Sequence, residues 1–240
     1  MTRAFVALGA LAVTLGLTQA QPVQLVIWDF NNDSTTASGG VNASLSSLAL
    51  VGGTNATFAT GSPLDTAATN RGYNTTNYPT QGQNNLTAGI VFNTPTTGYI
   101  NVTVQFDVRW SSTASKYLRF QYTYDGVNWI NGPQLVAPGG ATWWSNQNIT
   151  NPNGNTRYYV SFSGDTQADN NPNFAFRILA EFAPSGQYEA ALSTSTYSTL
   201  GTLRYDLVEV RGEVVPEPAS MLALGAGLAG LVGLRRRTKK

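Results

Sequence analysis

Five carboxylates are the side chains best placed in the sequence to carry out chemistry. They are Asp29, Asp107, Asp125, Glu181 and Asp206. Two such groups about 5 to 9 Å apart can hydrolyse a glycosidic bond, so a glycoside hydrolase or polysaccharide lyase is one hypothesis. Each carboxylate also has a structural explanation: Asp125 precedes a turn glycine, and Glu181 shares a strand face with Arg177, with which we expect it to pair. The sequence therefore favours a protein that is not an enzyme.

The chain contains no Cys and no His. This composition excludes disulfides, thiolate nucleophiles, imidazole bases and nearly all zinc, copper and haem sites. An oxygen-ligated Ca²⁺ is the one metal that remains chemically reasonable. Asp29 and Asp206 could hold it together if the first and last strands are neighbours. We otherwise predict no cofactor.

Aromatic residues in the second half of the chain form a candidate sugar-binding set. They are Trp129, Trp143, Trp144, Tyr158 and Tyr159. Trp143 and Trp144 are adjacent in a predicted strand, so their rings point to opposite faces and at most one enters the core. The outer ring could stack on a pyranose at little entropic cost. The alternative, that residues 31–88 cover this ring, stays open.

Charge separates the body of the protein from its ends. Residues 21–215 carry eight Lys and Arg against twelve Asp and Glu, which is a net charge of −4. Nucleic-acid binding needs clustered cations, so we predict no nucleic-acid partner. A mildly acidic body also favours a neutral polysaccharide over an anionic one.

Alternating apolar and polar residues predict β-strands. The pattern is clearest over 100–110, 116–124 and 174–182, and it slips at Leu207-Val208, which suggests a bulge. Further strands are predicted at 24–30, 142–149, 157–162, 188–192 and 202–211, with short irregular strands in 31–88. Many short strands without helical periodicity predict an all-β fold, a two-sheet antiparallel β-sandwich of jelly-roll type. The predicted core consists of Val102, Val104, Phe106, Val108, Leu118, Phe120, Phe174, Phe176 and Ile178.

Both ends of the chain are typical of targeting segments. Residues 1–20 have a basic start, an apolar stretch and a small-x-small cleavage site, as in a signal peptide. At the other end, an apolar run from Ala219 to Leu234 would span ~24 Å as a helix, which is close to a bilayer core of ~30 Å. A G-x-G-x-x-G match lies inside this run rather than after a strand, so it does not indicate a dinucleotide site.

The C-terminal segment resembles the PEP-CTERM sorting signal of Gram-negative bacteria. The matching parts are Pro216, Glu217 and Pro218, the apolar helix at 219–234, and Arg235, Arg236 and Arg237. The resemblance implies signal peptidase and an exosortase as partners. It also implies export, transient anchoring of residues 219–234 in the cytoplasmic membrane, and a final location at the cell surface or in the extracellular matrix. The predicted organisation is 1–20 signal peptide, 21–213 ectodomain and 214–240 sorting signal.

The ectodomain also resembles the jelly-roll bodies of secreted bacterial proteins. The stretches that carry this resemblance are 28–31, 124–129 and 201–206. Such domains often bind sugars, and some hold a structural Ca²⁺. We predict a structural or adhesive matrix protein associated with exopolysaccharide, with a carbohydrate-binding module as the alternative.

Overall fold

A computed structural model describes residues 21–143 and 157–215, together with Gly225 and Gly227. The predicted signal peptide, Trp144 and the sorting residues Pro216–Pro218 and Arg235–Arg237 lie outside the described residues. Within those residues the chain forms twelve β-strands and a short 3-10 turn at Ala43–Leu45. In chain order the strands are β1 (Val23–Trp28), β2 (Ser47–Val51), β3 (Asn55–Thr60), β4 (Arg71–Thr76), β5 (Gly89–Asn93), β6 (Tyr99–Trp110), β7 (Tyr117–Thr123), β8 (Ile130–Val136), β9 (Thr142–Trp143), β10 (Tyr158–Ser161), β11 (Ala175–Glu181) and β12 (Leu203–Val214).

The strands form two antiparallel sheets. The five-stranded sheet has the order β2-β5-β11-β7-β8. The seven-stranded sheet has the order β10-β6-β12-β4-β3, with β1 also paired to β12 and β9 to β6. From β5 to β7, and again from β10 to β12, successive strands alternate between the sheets, as in a jelly roll. This confirms the predicted fold class.

The core lies between the two sheets and is rich in aromatic rings. All nine predicted core residues are buried. Phe106 of β6 stacks across the interface on Phe120 of β7 at 6.3 Å, and Trp28 of β1 lies 5.1 Å from Phe92 of β5. Because strand residues alternate between faces, this inner set also identifies which side chains point outward.

The segment 31–88 contributes three of the strands and a covering loop. β2, β3 and β4 are each five or six residues long, as expected for short strands in this segment. Residues 61–70 lie over the outer face of the seven-stranded sheet, where Ser62 contacts Asp107 and Asp206. The alternation over residues 100–110 predicts that Asp107 faces solvent on the outer side of β6, and this is wrong, because Asp107 is fully buried.

Two further predictions meet different outcomes. The bulge at Leu207-Val208 is confirmed: the β12–β6 register shifts between Asp206 and Glu209, and Leu207 has a φ of 47°. The predicted strand 188–192 is wrong, since only one isolated bridge, Ser115 to Ala190, forms there.

Both ends of the body leave the sandwich on the same side. Val23 of β1 pairs with Gly212 of β12, and the amide of Val215 donates to the carbonyl of Gly98, just before β6 begins. The opposite end is formed by the loops around residues 111–116 and 183–202.

Candidate functional site

A tight turn between β7 and β8 positions Trp129. Asp125 accepts hydrogen bonds from the amides of Val127 (2.8 Å) and Asn128 (2.7 Å), and Gly126 has a φ of 77° that favours glycine. Hydrogen bonds, chiefly from the Asn128 side chain, hold the pKa of Asp125 well below its usual range. This carboxylate is therefore committed to the turn, as the sequence predicted.

Arg177 of β11 packs its guanidinium over the Trp129 ring, with Cζ 4.0 Å from the ring centroid. Arg177 Nε donates to Gln121 Oε1 at 2.6 Å, and Gln121 Nε2 donates to Asn131 Oδ1 at 2.6 Å. Arg177, Gln121 and Asn131 lie opposite one another on β11, β7 and β8, so they form a row across the outer face of the sheet. Arginine prefers Trp as a cation–π partner, which fixes both side chains.

A second polar row runs beside the first. Arg119 pairs with Glu181 at 2.6 Å and donates to the carbonyl of Gly132, while Gln134 donates to Glu181 at 2.8 Å. The predicted pair of Arg177 with Glu181 is wrong. Residues four apart along a strand are separated by roughly 13 Å, whereas cross-strand neighbours lie about 5 Å apart.

These two rows and the Trp129 ring form what we call the Trp129 surface. It consists of Trp129, Arg177, Gln121, Asn131, Arg119, Glu181 and Gln134. The surface offers one aromatic ring beside amide and guanidinium groups that are held in place by hydrogen bonds. Sequence reasoning found Trp129 but missed the polar rows, because their members are brought together by strand register alone.

The structure does not bring the other candidate aromatics to this surface. Tyr158 is buried in the core against Phe106, at 4.7 Å, so it is not accessible to a sugar. Tyr159 lies opposite Gln105 and Trp143 lies opposite Arg109, both on the outer face of the seven-stranded sheet. Trp143 is only 7% exposed.

Asp107 and Asp206 are brought together on the outer face of the seven-stranded sheet. They lie directly opposite each other on β6 and β12, and both are 0% exposed. Ser62 donates its amide to Asp206 Oδ2 and its hydroxyl to Asp107 Oδ2, each at 2.5 Å. Arg157 Nε lies 3.4 Å from Asp107 Oδ1. We call Ser62, Asp107, Asp206 and Arg157 the buried acid cluster.

Burial dominates the electrostatics of this cluster. It raises the pKa of Asp206 to about 8, against the opposing effect of the Ser62 and Leu207 amides. Burial also raises the pKa of Asp107, which Arg157 counteracts. One protonated and one ionised carboxyl group would suit acid–base chemistry. However, neither residue has exposed surface on which a substrate could bind.

The calcium hypothesis involves Asp29 and Asp206. Its topological condition is met, because β1 and β12 are neighbours. Asp29 accepts a hydrogen bond from the Asn31 amide at 3.1 Å, and Asp206 accepts from Ser62 and Leu207. Among the described residues, no group of three or more acidic side chains could hold a metal ion. Calcium binding by these two residues stays a prediction.

An open cavity of about 370 Å³ lies at the end of the sandwich opposite Val23 and Val215. Tyr188 and Tyr197 stack at 4.7 Å in its wall, and Lys116 lies 3.5 Å from Glu189 at its rim. The sequence did not indicate this cavity, since its walls come from irregular loops.

Comparison with known proteins identifies the C-terminal segment. Residues 214–237 match the PEP-CTERM protein-sorting motif. The motif marks an exported protein that is sorted by an exosortase and transiently anchored in the membrane. Within the part of the chain that the structure describes, no helix is long and apolar enough to cross a membrane. No curated protein shows significant similarity to the chain.

Solved structures with a similar arrangement of strands share little sequence with this chain. The CBM22-1 xylan-binding domain from Paenibacillus barcinonensis is 10% identical with a TM-score of 0.47, over 83% of this chain and 100% of that one. The tandem CBM22-1-CBM22-2 domain of the same organism is 12% identical with a TM-score of 0.46, over 86% and 53%. An exo-beta-agarase is 10% identical with a TM-score of 0.43, over 82% and 25%.

Proposed function

We propose that this chain is an exosortase-processed protein of the cell surface or extracellular matrix, with a structural and adhesive role in contact with a neutral exopolysaccharide. The observation that carries the polysaccharide contact is the Trp129 ring, held by Arg177 at 4.0 Å beside two rows of polar side chains. The sorting motif supports the location, because it marks an exported protein. Signal peptidase and exosortase are the partners expected during export.

The chemistry of the Trp129 surface suits a sugar chain. An aromatic ring can stack on the apolar face of a pyranose, and its two torsions are already restricted by Arg177. Sugar hydroxyls donate and accept hydrogen bonds, and the exposed amides of Asn131 and Gln134 offer both kinds of group, whereas Gln121 is only 6% exposed and holds Asn131 in place. Glu181 offsets the charge of Arg119 at 2.6 Å, so the surface has no concentrated positive charge to select an anionic polymer.

We propose that the protein binds the polysaccharide through the Trp129 surface and does not hydrolyse it. The two close carboxylates, Asp107 and Asp206, lie on the other sheet and are buried beneath Ser62. A carbohydrate-binding module is the second candidate function. It uses the same surface, and it differs from the matrix role in requiring a defined oligosaccharide ligand.

Affinity electrophoresis in gels containing neutral polysaccharides tests this proposal. We expect the wild-type protein to be retarded and Trp129→Ala to lose most of the retardation. Tyr159→Ala is the matched control, because it removes a half-exposed ring from the outer face of the opposite sheet. Absence of retardation in every gel, or equal retardation of Trp129→Ala and wild type, would contradict the proposal. Loss confined to Tyr159→Ala would move the contact to the other sheet.

A further inference from the structure

The sorting motif and the last strand of the sandwich overlap. The motif match begins at residue 214, whereas β12 continues to Val214. The amide of Val215 also donates to the carbonyl of Gly98 at 2.9 Å, so backbone hydrogen bonding continues one residue beyond the strand. Pro216 comes next, and proline has no amide hydrogen with which to extend the pairing. The folded body therefore reaches the motif without a linker.

The end of β12 is paired on one side. β1 pairs with β12 as far as Gly212, and beyond that point β6 is its strand partner among the described residues. The β12–β6 register shifts between Arg211 and Glu213, just before this end. Val214 is 52% exposed, whereas Val210 in the middle of the strand is fully buried. A strand end with one partner and little burial opens locally at a small cost in free energy.

A few identified contacts set the cost of this opening. Val214 pairs with Tyr99 of β6. Asn101 Nδ2 donates to Glu213 Oε2 at 2.9 Å, and hydrogen bonds to a carboxylate are stronger than those between neutral groups. Release of residues 213–215 breaks these contacts, but it does not disturb the aromatic core between the two sheets.

Cleavage near the motif requires the chain to enter the cleft of the exosortase. Extended segments are bound through their amide and carbonyl groups, in the manner of an added strand. A segment that is still attached to the sandwich brings β6 with it, so it cannot enter such a cleft. We propose that residues 213–215 detach from β6 during processing and that the exosortase binds them as an extended strand. The inference rests on the proposed processing and identifies the part of the body that takes part in it.

The population of the open strand end then determines how fast the tail is removed. When opening and closing are fast, proteolysis follows the equilibrium population of the open form. Asn101→Gly removes the side chain that holds Glu213, and glycine tolerates the positive φ of 53° at this position. We expect this variant to be processed about two- to tenfold faster than wild type, as the loss of one hydrogen bond allows.

A disulfide across the strand end tests the proposal, because the natural chain has no cysteine to interfere. Tyr99→Cys with Val214→Cys joins two directly opposite residues and locks residues 213–215 to β6. Thr103→Cys with Arg211→Cys is the matched control, since it joins the same two strands just before the segment that detaches. Pulse-chase labelling of the exported full chain, in a host that contains the exosortase, measures tail removal. Intact mass shows that each disulfide has formed.

We expect the 99–214 disulfide to slow tail removal by about tenfold or more, and the 103–211 disulfide to leave its rate unchanged. Insertion of a Gly-Ser linker after Val215 should cancel the effect of the 99–214 disulfide, because the linker backbone can then be bound in place of residues 213–215. Tail removal from the 99–214 protein at the wild-type rate, or slow removal that the linker does not correct, would overturn this inference alone. A wild-type chain that keeps its tail would overturn the proposed processing as well.

Discussion

Asp107 on β6 lies directly opposite Asp206 on β12, and Ser62 donates a hydrogen bond to each carboxyl group. Two like charges in this arrangement repel each other, and burial penalises both. Protonation of Asp206 removes both the repulsion between the two carboxylates and the cost of burying its charge. We therefore expect the native fold to be most stable while Asp206, which is buried, keeps its proton.

Stability should fall as the pH rises toward the alkaline range. The pKa of Asp206 is raised from its ordinary value of 3.8 to about 8 in the native state, because the group is buried. Between these values the native protein binds a proton that the unfolded chain does not. The free energy of unfolding should therefore decrease by up to about 1.4 kcal/mol per pH unit, and the contribution is lost as the pH passes about 8.

Asp206→Asn should remove most of this slope, since an amide resembles the protonated acid in shape and does not titrate. Chemical denaturation at pH 5, 7 and 9 measures the difference from wild type. Asp33→Asn is the control, because Asp33 is a half-exposed carboxylate at the surface. If the free energies of unfolding of wild type and Asp206→Asn change with pH in the same way, Asp206 is ionised in the native state at neutral pH, and the prediction is wrong.

Gly61→Ala should destabilise the protein by displacing the loop that covers the acid cluster. A Cβ at this position would lie 2.4 Å from Asp206 Oδ2 and 2.6 Å from the carbonyl of Arg71. Backbone and buried carboxylate cannot both move aside, so we expect a loss of several degrees in Tm. Gly39→Ala is the matched control, since its Cβ would meet only ordinary contacts at 3.5 Å. Equal Tm values for the two variants would refute the prediction.

Phe176→Ala should cost about 3–5 kcal/mol in the free energy of unfolding. Phe176 is fully buried and stacks on Phe92 at 4.9 Å and on Phe120 at 5.4 Å, so its removal leaves a cavity between the rings of β5 and β7. Urea denaturation of Val127→Ala supplies the control, because Val127 is 75% exposed. A cost for Phe176→Ala near that of Val127→Ala would mean that the core repacks around the gap.

Processing should remove both ends of the chain. We expect the intact mass of the surface protein to lack residues 1–20 and to end near Pro216-Glu217-Pro218. Replacing Arg235, Arg236 and Arg237 together by Gln should leave the tail uncleaved, because the basic cluster completes the sorting motif. A mature surface protein that still contains residues 235–240 would contradict exosortase processing.

Strand alternation predicted the sandwich well, because a period of two decides which side chains face the core. Phe106 and Phe176 were assigned correctly from this pattern alone, and so was the bulge at Leu207, where the pattern slips. The sorting segment was also evident, since its parts follow one another in sequence.

The pattern could not show what covers a strand from outside. In the alternating pattern, Asp107 occupies a position that would be exposed on a bare sheet. Its burial depends on Ser62, which is 45 positions earlier in the chain. The partner of Arg177 was missed for a related reason. Alternation places a residue on a face, whereas the register of β11 against β7 decides that Gln121, rather than Glu181, lies beside it.

The pairing of Val23 with Gly212 places the start of the body beside the point where the C-terminal segment leaves it. Four residues, 215–218, separate the last paired strand from the apolar run, and they reach at most about 14 Å. The sandwich is about 40 Å long along the 12 residues of β12. We therefore expect this end of the sandwich to stay close to the membrane while the apolar run is anchored, and to become free of it only when the tail is cleaved.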